Sequence, residues 1–168
     1  GEKDSTPDVE AKSAPIMAQA QADPNIQMIV IVAHRPVLSS IDAEVPLRKG
    51  LKTAIDSLHG QFPKLRLYIG HHLHGAEVLA PSNGVTYVID GGGGVEEVVF
   101  PNSPQAYTSA GSLFHSSHPS HILGTVTADK MTLQYICGPP FARRADKDAC
   151  KEGDVMYSLS LDLPPLGK

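Results

Sequence analysis

Three histidines fall within four positions in the stretch IGHHLHGAE, residues 69–77: His71, His72 and His74. Neutral imidazole is a good ligand for zinc, iron or manganese when the backbone aims its ring at the ion. The pair His72-Leu73-His74 has the H-x-H form, which can present two rings to one side just past a strand. A fourth histidine, His34, follows the apolar run QMIVIVA at 27–33. Read on their own, these histidines are either metal ligands or a polar, histidine-rich loop.

The elements around them decide how they could meet. Gln27–Ala33 is a continuous β-branched run, the pattern of a strand buried on both faces. Leu47, Leu51, Ile55 and Leu58 fall at helical spacing, and the helix Pro46–Leu58 is expected to end at Gly60. Leu65–Ile69 is a second strand. Strand, helix and strand in that order form a βαβ-like unit with a parallel pair. Ligands in open α/β sheets collect at the carboxyl ends of strands. His34 and His71–His74 should therefore share one edge of the sheet.

Farther on, Glu77–Ala80, Val85–Asp90, Ile122–Thr127, Met131–Cys137 and Val155–Leu161 read as short strands with turn signals between them, an antiparallel pattern. Ala14–Ala22 reads as a short helix, residues 1–13 as a disordered or cleaved-loop segment, and Pro101–Ser120 as a long surface loop.

The chain of 168 residues suits one domain. A net charge of −4 argues against non-specific nucleic-acid binding, which needs a basic face. No apolar run approaches the roughly 20 residues that span a bilayer. The polar start, GEKDSTPDVEAKSAP, has no hydrophobic signal core, which fits either a cytoplasmic protein or a processed chain. Cys137 and Cys150 bracket the polar loop GPPFARRADKDA. A disulfide there would remove unfolded-state entropy worth about 2–3 kcal/mol and would imply an oxidising, secreted or otherwise extracytoplasmic setting. Two free thiols are the alternative.

Four segments, in order, resemble calcineurin-like metallophosphoesterases, especially purple-acid-phosphatase-like members. AHRPVLSS (33–40) resembles the family's GHRP segment and GHHLHGAE (70–77) its closing G-H-x-H-x-x-E segment. NGVTYVIDGGGG (83–94) resembles the strand and loop that follow, and TVTADKMTLQYI (125–136) the final hairpin. The resemblance covers roughly residues 14–137 and only the C-terminal half of the family's domain. It implies an α/β fold: half of a β-sandwich with flanking helices, a mixed sheet and antiparallel C-terminal strands, over residues 14–168. It also implies two divalent or trivalent metal ions of the Fe, Zn or Mn class, with His34 and His72 on the second metal and His74 on the first. The chemistry would be in-line attack of metal-bound hydroxide on a phosphate ester.

Two departures bear on this. His71 stands where the family has glycine, as an adjacent polar residue that could touch phosphate; Arg35 is a second such candidate. The family's D-x-H, G-D-x-x-(D/Y) and G-N-H-(D/E) segments, which supply the carboxylates, are missing from the sequence. The expected partner is therefore the N-terminal half of the same domain, in cis or as a separate chain, without which this chain should be inactive. Its absence should leave the edge beside Gln27–Ala33 open.

Two other classes compete: a non-catalytic assembly or binding module using that open edge, and a small histidine-rich metal-binding protein. His115, His118 and His121 read as a solvated loop. Gly91–Gly94 could cradle phosphate or form a tight turn. Arg143-Arg144 reads as a solvated charge pair, and Ser39-Ser40 offers no nucleophile constellation.

Overall fold

A computed structural model describes residues 6–40, 45–93, 111–139 and 150–166. The element order is α1 (Thr6–Ala22), β1 (Ile29–Ala33), α2 (Val45–Gln61), β2 (Leu65–Gly70), β3 (Ala76–Ser82), β4 (Val85–Asp90), β5 (Ser112–Ser116), β6 (Ser120–Val126), β7 (Lys130–Cys137) and β8 (Val155–Asp162). The first five strands form one mixed sheet in the order β1-β2-β4-β3-β5, and the last three form an antiparallel sheet β6-β7-β8. The chain is thus α/β, with a mixed sheet and antiparallel C-terminal strands.

The layers follow from which side chains each strand buries. On one face of the five-stranded sheet, Leu65, Tyr68, Leu79, Val85 and Tyr87 pack under Met17 of α1 and Ile55 and Leu58 of α2. On the other face, Leu67, Ala76, Val78 and Val88 meet Leu133 and Tyr135 of β7 and Leu161 of β8. Burying a strand on both faces removes the polar alternation from its sequence, as VTYVID at β4 shows. The outward face of the small sheet is polar by contrast: Thr132 lies beside Ser160, and Gln134 donates to Ser158.

Several elements differ from expectation. α1 reaches back to Thr6, across residues 6–13, which were expected to lack structure. Its opening Thr6-Pro7-Asp8 places proline in the first turn, where no amide bond is lost. α2 continues through Gly60 to Gln61, because Phe62 still donates to the Leu58 carbonyl. β4 runs parallel to β2, not antiparallel. β5 falls wholly within the expected loop and β6 begins at its last residue; residues 101–110 of that loop, together with Gly94 and Arg143-Arg144, lie outside the described residues.

β1 differs from expectation in its burial. Its run predicts a strand buried on both faces; β1 lies at the end of the sheet, paired in parallel with β2. It is half-buried, and Val32 is 64% exposed. Its outer edge has no partner strand among the described residues.

Cys137, at the end of β7, is bonded to Cys150 with an S–S distance of 2.01 Å and a Cα separation of 6.1 Å. Backbone bonds from Cys137 to Asp154 and from Gly153 to Cys137 fix the same corner. The disulfide points to an oxidising environment.

Candidate metal-binding histidine pair

Parallel pairing aligns the carboxyl ends of three strands. Ala33 of β1 is opposite Gly70 of β2, and Gly70 is opposite Ile89 of β4. His34, His71 and Asp90 therefore stand in a row where the strands stop. Such a row is a consequence of parallel register and of strands ending together.

Two histidines meet there. His34 Nε2 and His72 Nδ1 are 3.0 Å apart, with the rings edge to face at 4.9 Å between centroids. The intervening chain holds them. The His71 amide donates to the His34 carbonyl at 3.0 Å, and the Tyr68 hydroxyl donates to the Arg35 carbonyl at 2.7 Å. Pro36 packs so tightly on Gly70 that a Cβ at Gly70 would lie 2.6 Å from the Pro36 Cα. His72 itself adopts a φ of 37°, a left-handed conformation that a side chain other than glycine enters at a cost.

His71 turns the other way. Its Nδ1–H donates to the Asp90 carbonyl at 2.7 Å. Successive histidines thus divide between neighbouring strands, His71 toward β4 and His72 toward β1. This division agrees with His72, not His71, as the member facing His34. Asp90, at the end of β4, carries an acidic group beside this turn. Burial raises its carboxyl above the usual range, opposed by His71, by a hydrogen bond from the Ile122 amide and by His121.

His74 lies half-buried in the same loop. Among the described residues, no three or more His, Cys, Asp or Glu side chains are gathered as a metal site. Arg35 is exposed at the start of the loop after β1.

Gly91 and Gly92 serve close packing. The Gly91 amide donates to the Gly75 carbonyl at 2.9 Å, and a Cβ on Gly91 would sit 1.8 Å from the Leu73 carbonyl oxygen. The histidine loop rests directly on this glycine. Ser39 and Ser40 also have a defined use: Ser39 Oγ donates to the Glu77 carboxylate at 2.8 Å, and the Ser40 amide donates to it at 3.1 Å. Glu77 is fully buried, and sequence reasoning gave it no role of its own. The available signal was an acidic residue in the strand AEVLAPS, three positions after His74. His115 lies in β5 opposite Glu77, not in a loop. Burial lowers its pKa, and the Glu77 charge opposes that shift.

The residues can be compared with what an ion requires. Two donors about 2.1 Å from one ion stand about 3.0–3.4 Å apart in neighbouring octahedral or tetrahedral positions. The 3.0 Å separation of His34 and His72 fits two such positions. His34 and His72 are thus spaced as two donors of a set could be, which is also the length of an ordinary hydrogen bond between them.

These layers and the imidazole pair define an α/β domain with a strand-end histidine site. Among solved structures, the chain is similar to GAP50, the anchor in the inner membrane complex of Plasmodium, with a TM-score of 0.62 and 17% identity. The match covers 92% of this chain and 43% of that one, so this chain spans less than half of that structure. At such identity the likeness is one of fold. No family profile and no curated protein matches the sequence.

Proposed function

We propose that this chain is the C-terminal half of a metallophosphoesterase-like domain and carries the histidine half of its metal site. One observation carries the reading. Residues 38 positions apart, just past the ends of two parallel strands, bring two imidazole nitrogens to 3.0 Å. In the metal-free state the N–H of one ring donates a hydrogen bond to the nitrogen of the other. A cation of the Zn, Fe or Mn class would take the place of that hydrogen, which would move to the other nitrogen of its own ring, with His34 and His72 as ligands. The remaining donors, His74 and the carboxylates of the N-terminal half, complete the set in this reading. Bound metal supplies Lewis-acid activation of water for phosphoester hydrolysis. The chain's own residues hold the two rings in place and, through Arg35 and His71, offer contacts to a phosphate group.

β1 supports the half-domain part of the reading. An apolar, β-branched strand whose outer edge has no partner among the described residues, with a Val32 that is 64% exposed, is the kind of surface a further strand covers. The disulfide suits a secreted or otherwise extracytoplasmic protein.

The same edge favours a second reading, a non-catalytic assembly module that pairs with another chain through β1. The two readings separate in one experiment on the chain together with its N-terminal half. About two metal ions per particle, with p-nitrophenyl phosphate hydrolysis abolished by His72→Ala, supports the enzyme. A stable, metal-free and inactive complex supports the assembly module and rejects catalysis.

A further inference from the structure

Glu77 has an unusual position relative to the two histidines. His34 is followed by residues 35–40, and His72 is followed by residues 73–77, so both segments run from a histidine to the same carboxylate. Glu77 lies in β3 between β4 and β5, fully buried. Its side chain accepts from Ser39 Oγ at 2.8 Å and from the Ser40 amide at 3.1 Å to each oxygen. Its carbonyl accepts from the Tyr135 hydroxyl at 3.1 Å, which fixes that point of β3 against the second sheet.

Burying a carboxylate is costly unless hydrogen bonds replace water. Here the replacing donors come from the segment after His34, 37 and 38 residues away in sequence. The opposite end of that segment is held by the His71 amide on the His34 carbonyl. Residues 34–40 are therefore pinned at one end to the His72 loop and at the other to the strand that this loop enters.

We infer that Glu77 is a positioning residue for the His34–His72 pair, locking the two histidine-bearing segments together through Ser39 and Ser40. The metal role of that pair rests on the function proposed above; the positioning role does not. Groups that orient ligands typically alter metal affinity about 10–100-fold when removed.

The test uses the full 168-residue chain, wild type, Glu77→Gln and Ser39→Ala. Metal-free protein is read by the nuclear Overhauser contact between the His34 and His72 rings; zinc affinity is read by calorimetry. The expected result is a ring contact present in wild type and weakened in both variants, while the amide signals of β2 and β4 stay in place. Zinc affinity should fall about 10–100-fold in parallel. A merely structural role would lower the melting temperature and leave both readouts unchanged below it. If Glu77→Gln fails to fold, Ser39→Ala, which removes one donor only, decides. An unchanged ring contact in the folded variants overturns the positioning role. A wild-type chain that shows the ring contact but binds no zinc overturns the metal reading and leaves the positioning role to the first readout.

Discussion

The imidazoles of His34 and His72 meet edge to face, Nε2 to Nδ1 at 3.0 Å, although 38 residues separate them in sequence. Parallel pairing of β1 and β2 makes this possible, because it ends both strands at one edge. A strained φ at His72 completes it.

The loop that carries His72 depends on its glycine floor. A Cβ at Gly91 would overlap the Leu73 carbonyl oxygen at 1.8 Å, and backbone cannot rotate away as a side chain can. Gly91→Ala is expected to cost about 2–4 kcal/mol by displacing residues 71–75. Thermal unfolding measures this. A melting temperature within a degree of wild type would show that the loop tolerates a shift.

Breaking the disulfide should destabilise the chain. Cys137 and Cys150 close a loop of sequence separation 13, and the double change to serine is expected to cost about 2–3 kcal/mol. Urea unfolding of oxidised and reduced protein reads the same difference without mutation. An equal midpoint in both states would mean the β7–β8 corner is held by its backbone bonds alone.

Asp90 should make stability pH-dependent in the direction opposite to a paired carboxylate. Burial raises its carboxyl pKa, so the folded chain binds that proton more tightly than the unfolded chain. Its contribution is greatest below the unfolded carboxyl pKa and declines as pH rises through the folded one. Asp90→Asn keeps an acceptor for the Ile122 amide and removes the charge. It is expected to match or slightly exceed wild-type stability at pH 7, with the difference shrinking toward pH 4. A variant less stable at pH 7 would show that His71 and His121 outweigh desolvation.

Tyr135 offers a test of the inter-sheet layer. It is buried, and its hydroxyl donates to the Glu77 and Ile89 carbonyls. Tyr135→Phe keeps the ring against Phe114 and removes both bonds, with an expected cost of about 1–2 kcal/mol. Guanidinium unfolding with an unchanged slope checks it; no change in midpoint would mean those carbonyls find other donors.

Much of this was legible in the sequence, for reasons that differ by element. β1, α2 and β2 follow from an apolar run, a helical spacing and a second apolar run, and their order implied the shared edge that His34 and His72 occupy. The disulfide followed from two cysteines around a polar loop. The exposure of Val32 was not legible, because an apolar, β-branched run reads as a strand buried on both faces. β5 was hidden because serine, histidine and a nearby proline resemble a loop, while its pairing partner β3 lies more than 30 residues away in sequence. The roles of Glu77 and Gly91 are long-range contacts, and no local pattern encodes them.

The central claim, that His34 and His72 form one half of a metal site, is tested most directly by zinc calorimetry on the wild-type chain and on His34→Ala, His72→Ala and His121→Ala. The account predicts one site in wild type, affinity reduced at least about 10-fold by either of the first two changes, and no effect of the third. No zinc binding by wild type, or binding that survives loss of both His34 and His72, would contradict it.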